Sequence, residues 1–208
     1  YSPVFPPLYS SAGSDLYKGQ VCMFLAEKDI NVDCIDIDLQ KGDNLTAEFR
    51  AKNPFAKVPV LELDDGTIIS ESVAICRYFE ETQPEPALLG TTPLEKANIE
   101  MWQRRAEFGF LLPTGMSFQH CSGFFKDRMT PNQAWGEDCK KSAYGYLKLL
   151  NQHLSDSTYL AGDHFSIADI TMLTTLDFGR VIDIRLNEKH EHVQRWYDLV
   201  SQRPSAKA

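Results

Sequence analysis

Basic residues are scarce in this sequence: 21 Lys and Arg stand against 29 Asp and Glu, a formal net charge of −8, and no basic block occurs in the 208 residues. Such a surface repels a phosphate backbone, which excludes nucleic-acid binding as the main activity. Long apolar runs are also missing. None approaches the ~18 residues a membrane helix needs. The opening Tyr1-Ser2-Pro3-Val4-Phe5-Pro6-Pro7 has neither the basic end nor the apolar stretch of a signal peptide. Paired cysteine motifs are lacking too. Cys22, Cys34, Cys76, Cys121 and Cys139 are odd in number, irregularly spaced and include no Cys-x-x-Cys. That pattern argues against zinc or a dithiol redox centre, so no metal is expected, and it favours reduced thiols in a cytoplasmic chain without membrane contact.

What is present is ordinary globular material, 43% hydrophobic and 24% charged, enough to bury a core without staples. The chain changes character near its middle. Up to residue 84 short β-patterned stretches mix with helical ones, whereas after Pro93 nearly every segment reads as helix. The Pro-rich stretch between them reads as a linker, because proline removes a backbone donor and biases its neighbour away from helix. The expected division is a domain over 1–84, a linker over 85–92 and a second domain over 93–208.

Before the linker, residues 19–28 carry Val21, Phe24, Leu25 and Lys28 at helical spacing, and Ile35-Asp36-Ile37-Asp38-Leu39 alternates as a half-buried strand does. A short helix is expected around Ala47-Glu48-Phe49. Residues 57–69 read as a hairpin turning at Asp64-Asp65-Gly66, and Glu71-Ser72 opens a helix with Ile75, Tyr78 and Phe79 on one face. A first strand is expected near residues 4–9, although Pro6 and Pro7 would each delete a ladder donor. The order suits a four-stranded mixed sheet covered by helices, an α/β domain followed by an all-α one. After the linker a long helix is expected over 93–112, with others over 134–154, 165–181 and 190–202. Ser166-Ile167-Ala168-Asp169 has the spacing of a capping box.

Two stretches on either side of the linker carry a family likeness. Asn53-Pro54-Phe55-Ala56-Lys57-Val58-Pro59-Val60-Leu61, followed by Asp65-Gly66 and Ser70-Glu71-Ser72-Val73-Ala74-Ile75, resembles the N-terminal domain of cytosolic glutathione transferases. Tyr159-Leu160-Ala161-Gly162-Asp163-His164-Phe165-Ser166-Ile167-Ala168-Asp169-Ile170 resembles that family's C-terminal capping-box helix. The likeness covers nearly the whole chain and is greatest to bacterial or fungal members. It implies a thioredoxin-like domain with an all-helical partner, with glutathione as co-substrate and an electrophilic small molecule as the second reactant. It also implies a homodimer, with the helices around Ile75 to Phe79 and Met101 to Arg105 expected at the contact. It implies a cis Val58–Pro59 bond that turns the Val58 backbone toward the cysteinyl part of glutathione. Ser72, at a helix start, would receive the γ-glutamyl carboxylate, Glu71 its ammonium, and Asn44 and Lys57 the glycyl end.

Activation of the thiol is less sharply drawn. The family places a hydroxyl or thiol donor before the first helix. Here the stretch Tyr9-Ser10-Ser11-Ala12-Gly13-Ser14-Asp15-Leu16-Tyr17-Lys18 holds three serines and no cysteine. Cysteine-type chemistry is therefore disfavoured, and Ser11 and Ser14 are the candidate donors. His120 is a second candidate, because an imidazole is suited to accept a proton through a water near neutral pH. Phe108, Phe110, Met116, Phe118, Phe124 and Phe125 are candidates for an apolar substrate wall. A non-catalytic module for protein assembly or ligand carriage is the competing reading, and an isomerase or peroxidase would use the same glutathione site.

Overall fold

The computed structural model describes residues 6–11 and 16–208, which divide into two compact units, 1–87 with 207–208, and 88–206. In the first unit β1 (Leu8–Ser11), α1 (Leu16–Glu27), β2 (Cys34–Ile37), α2 (Ala47–Lys52), β3 (Val60–Glu62), β4 (Ile68–Ser70) and α3 (Ser72–Thr82) follow one another. The sheet runs β2-β1-β3-β4, with β1 parallel to β2 and antiparallel to β3, and β3 antiparallel to β4. This is the mixed sheet the sequence implies.

Three local expectations are refined. β1 begins at Leu8, after the prolines, so neither deletes a ladder donor inside the strand, and the Pro7 carbonyl accepts from Glu62 N at 3.2 Å. β2 is an edge strand, and of its isoleucines only Ile37 is buried while Ile35 stays 40% exposed. Ile75 and Phe79, expected at a contact between subunits, are fully buried. They belong to the face of α3 turned inward, where it packs on α1, β3 and β4.

One side of the sheet holds Ile37, Phe49, Val58 and Val60, with Tyr9, Leu39 and Ile68 against them, so α2 is fixed through Phe49. The other carries Leu8 and Leu61, register partners that are both fully buried.

Lys28, just beyond the end of α1, continues its buried stripe at 1% exposure. Its Nζ lies 2.7 Å from Glu80 Oε2 and donates to the carbonyls of Gln83 and Pro86 at 2.8 Å each. Gln83 Nε2 returns a bond to the Lys28 carbonyl at 2.5 Å.

The second unit holds α4 (Pro93–Ala106), α5 (Leu112–Cys121), α6 (Gln133–His153), α7 (Ile167–Gly179) and α8 (Glu191–Ser201). Pro93 occupies the first turn of α4, and Thr92 with Glu95 closes a capping box there. The long helix expected over 93–112 instead passes through a π turn at Glu107–Leu111 and continues to Cys121. Pro113 has no N–H to return to this turn, and the wider turn takes up the break. Gly109 lies here because a Cβ would collide with the Tyr146 ring. α7 is buried along almost its whole length and packs on α4 and α8.

Candidate functional site

The loop between α2 and β3 is built on two buried asparagines. Asn53 Nδ2 donates to the Lys57 carbonyl at 2.9 Å, while its Oδ1 accepts from Phe55 N at 3.2 Å. Asn44 Nδ2 donates to the Ala56 carbonyl at 2.7 Å, and Asn44 Oδ1 is buried without a hydrogen-bond partner. These bonds hold the loop through Ala56, which has a φ of 54°, into a cis Val58–Pro59 peptide. Among the described residues neither the N–H nor the C=O of Val58 has a hydrogen-bond partner. Val58 thus precedes β3 with an unpaired strand edge.

The register of the hairpin brings a second group to the same place. Val60 pairs with Ser70. Two residues back from Val60 is Val58, and two residues on from Ser70 is Ser72, so both leave the antiparallel pair at the same end. Ser72 is buried and begins α3, whose first-turn N–H groups have no intrahelical acceptor. The preceding Glu71 is exposed, makes no cap hydrogen bond and has φ 74° and ψ 121°. A non-glycine residue there costs roughly 1–3 kcal/mol and persists only where its surroundings enforce it.

Tyr9, the other hydroxyl at the start of the serine-rich stretch, is engaged elsewhere. Its hydroxyl donates to Glu62 Oε2 at 2.7 Å, and Lys52 Nζ pairs with the same oxygen at 2.5 Å. The bond to Glu62 holds the phenol above its ordinary pKa, while Lys52 holds the Glu62 carboxyl below its own. Ser11 is buried at the end of β1, paired in register with Ile37. Ser14 lies outside the described residues. Lys57 is exposed.

In the second unit, His120 stands in the last turn of α5 and its Nδ1 accepts from Asn132 N at 3.0 Å. Of the six residues proposed for an apolar wall, Phe110 is fully buried core. Phe118 is the hub of a ring cluster, with centroids 5.0 Å from Phe178, 5.6 Å from Phe124 and 6.1 Å from Phe125. Phe108 and Phe124 are exposed, and Met116 is half-buried. Asn53, which holds this loop, is the residue that sequence reasoning missed. Its signal was an Asn-Pro pair at a helix end, where an Asn side chain commonly bonds the backbone two residues on. Among the described residues no group of three His, Cys, Asp or Glu is placed to hold a metal ion.

These features define a class: a thioredoxin-like domain with an open strand edge beside a cis proline, joined to an all-helical domain. Residues 19–82 match the family described as "Glutathione S-transferase, N-terminal domain", and residues 111–204 its C-terminal domain. Glutathione S-transferase 2 of Saccharomyces cerevisiae is 38% identical over 195 residues, covering 92% of this chain and 84% of the relative. The crystal structure of Gtt2 from the same yeast superposes with a TM-score of 0.92 at 36% identity, over 97% of this chain and 98% of that one. A class Gtt2 glutathione S-transferase of Vibrio parahaemolyticus gives 0.85 at 37% identity, over 97% and 96%. The chain belongs to the glutathione S-transferase family. Elongation factor 1-gamma 1 of rice is also similar, 32% identical over 79% of this chain but only 38% of its own length.

Proposed function

We propose that this protein binds glutathione in its first unit and ionises the thiol, whose sulfur attacks an electrophilic carbon of an alkyl or aryl substrate, forming an S–C bond as the leaving group departs with its bonding electrons, a detoxifying reaction in the cytoplasm. The observation that carries the reading is the unpaired Val58 backbone leaving the β3–β4 hairpin at the same end as the α3 N-terminus. An extended peptide pairs with the Val58 N–H and C=O as one more strand. Its γ-glutamyl carboxylate meets Ser72 and the free N–H groups of α3, where a helix end favours an anion. Its ammonium meets Glu71, and its glycyl end lies toward Lys57 and Asn44. The thiolate is favoured by the hydroxyls of Ser11, the last residue of β1, and Ser14.

Calorimetry with glutathione tests this directly, and no binding to the wild type would overturn it. Ser72→Ala should leave the fold intact. Replacing Glu71 by glycine should move two quantities in opposite directions. Glutathione affinity should fall roughly 10- to 100-fold, the worth of one charged hydrogen bond. The melting temperature should rise by a few degrees, because glycine relieves the backbone strain at φ 74°. A fall in both would mean that Glu71 is held for the fold.

The protein is also proposed to be a homodimer. Leu94, Ala97, Asn98 and Met101 form one exposed side of α4 around a shallow cavity of about 490 Å³, with Leu94 80% exposed and Met101 40%. Leu94→Glu together with Met101→Arg should give a monomer mass by light scattering with the circular dichroism unchanged. A wild type that is itself monomeric at micromolar concentration would reject the assembly. The second reading, a non-catalytic module, is favoured by the similarity to the rice elongation factor 1-gamma. It predicts no turnover of any electrophile, whether or not glutathione binds.

A further inference from the structure

We propose that a small polar cavity in the second unit, between α5, α6 and the turn that follows α7, binds a free α-amino acid as its zwitterion. The site lies wholly within that unit and is independent of the transferase reading. The cavity measures about 210 Å³, and Ser117, Cys121, Ser122, Glu137, Lys140 and Asp183 are among the residues that line it. It is smaller than the ~300–1,000 Å³ of a pocket for a drug-sized molecule, so its ligand is small.

Two independent observations point to a ligand. The first is Ser117, which is fully buried and whose Oγ has no hydrogen-bond partner among the described residues. A buried hydroxyl without a partner is costly, and this one belongs to a cavity wall, where a ligand can supply the partner. The second is the pair Glu137 and Lys140. They stand three residues apart on α6, a spacing at which opposite charges ordinarily meet. Asp138 and Lys141, at the same spacing one residue on, do pair at 2.8 Å on the exposed side of the helix. Glu137 and Lys140, both in the cavity wall, form no ion pair with each other or with any other described residue. The half-buried Lys140 ammonium has no acceptor among the described residues, and the Glu137 carboxylate receives only the Cys121 thiol, at 3.9 Å.

The donors and acceptors define the ligand. Ser122 Oγ already accepts from Phe124 N at 3.1 Å, which leaves its hydrogen to donate. Lys140 Nζ and the hydroxyls of Ser117 and Ser122 are therefore three donors suited to a carboxylate. Glu137 is the acceptor suited to an ammonium. Asp183 adds little to it, since its carboxylate is 80% exposed and lies 3.5 Å from the Arg185 guanidinium. A carboxylate alone would bring its charge beside Glu137, and an amine alone would bring its own beside Lys140. A small molecule that carries both charges turns each repulsion into a charge-assisted hydrogen bond. An α-amino acid is the smallest common molecule of that kind.

The test is a titration of the full chain with glycine, alanine and serine, followed in ¹⁵N–¹H correlation spectra. The amides of Ser117, Cys121, Glu137 and Lys140 should shift and saturate. Acetate and methylammonium, at the same concentration and ionic strength, should not saturate them. Glu137→Gln and Lys140→Gln should each weaken glycine binding roughly 10-fold or more, since each removes a hydrogen bond to a charged group. Ser117→Ala should also weaken it. Without ligand, that variant should melt at the wild-type temperature or above, because it loses a buried hydroxyl that had no partner. A melting temperature that falls would overturn the assignment of this hydroxyl to the ligand. Acetate binding as tightly as glycine would make the cavity an anion site and overturn the proposal. So would wild-type affinity in both charge variants, or an absence of shifts with all three amino acids at tens of millimolar.

Discussion

Replacing Asp169 by alanine should lower the unfolding free energy by about 4 kcal/mol, close to half of what a domain of ordinary stability has. The carboxylate is completely buried at the start of α7 and gathers four donors from three parts of the second unit. Leu160 N and Trp196 Nε1 reach Oδ1 at 2.9 and 2.8 Å, while Ser166 N and Ser166 Oγ reach Oδ2 at 3.0 and 3.1 Å. Alanine would orphan them in a site that water cannot enter, at about 1–3 kcal/mol for each buried group left unpaired. The serine hydroxyl can turn elsewhere, so the sum stays below four full penalties. Asn in this position should cost less, because its carbonyl still serves Leu160 and Trp196 while its NH₂ faces the Ser166 N–H. Urea titration followed by Trp fluorescence measures both, and a loss under 1 kcal/mol for alanine would show that the site rearranges freely.

The same carboxyl makes stability depend on pH. Burial pushes its pKa up to about 6, outweighing the four hydrogen bonds that pull it down. Between the ordinary value of 3.8 and about 6 the folded protein holds a proton that the unfolded chain has released. Stability from this group is therefore greatest below about pH 4 and is lost as pH rises to about 6, by roughly 3 kcal/mol. The gap between wild type and Asp169→Ala should narrow over that interval. A gap that widens instead would mean that the donors, not the burial, control the group.

Much of the site is carried by local chemistry and was legible in the residues. Asp64-Asp65-Gly66 turns the hairpin because Gly66 supplies a φ of 82°, and Val58–Pro59 is cis as the resemblance implied. Ser72 opens α3 and Asp169 reaches back to Ser166, both set by residues a few positions apart. Other features depend on groups distant in sequence. Periodicity marks Ile75 and Phe79 as one apolar face of α3 but cannot say whether that face meets the chain's own sheet or a second subunit. The π turn answers Pro113 and the Tyr146 ring together, and Tyr146 lies on another helix. His120 Nδ1 accepts from a backbone N–H twelve residues on, a contact that no side-chain pattern encodes.

Lys28→Met should be the most damaging single change in the first unit, costing about 3–5 kcal/mol. Helical spacing places Lys28 on the apolar stripe with Val21, Phe24 and Leu25, and the structure shows why a lysine is tolerated there. Its ammonium, with no side-chain exposure, meets Glu80 at 2.7 Å and two carbonyls at 2.8 Å, 5.5 Å from the centre of the Phe24 ring. These contacts tie the end of α1 to the end of α3 and to the Pro-rich stretch that follows. Methionine fills the same volume but takes the ammonium away from the Glu80 carboxylate, 8% exposed, and frees the Gln83 and Pro86 carbonyls. The expense lies mainly in removing one member of a buried ion pair, because the intact pair gains little beyond the desolvation it must offset. Lys28→Met with Glu80→Leu should therefore recover most of the loss, leaving only the cost of the two carbonyls. The single Glu80→Leu should resemble Lys28→Met in size, since it strands the ammonium instead. Chemical denaturation of the four proteins closes the double-mutant cycle, and the double variant should lose far less than the sum of the two single losses. Additive losses in the double variant would show that Lys28 acts through the carbonyls of the Pro-rich stretch and not through Glu80.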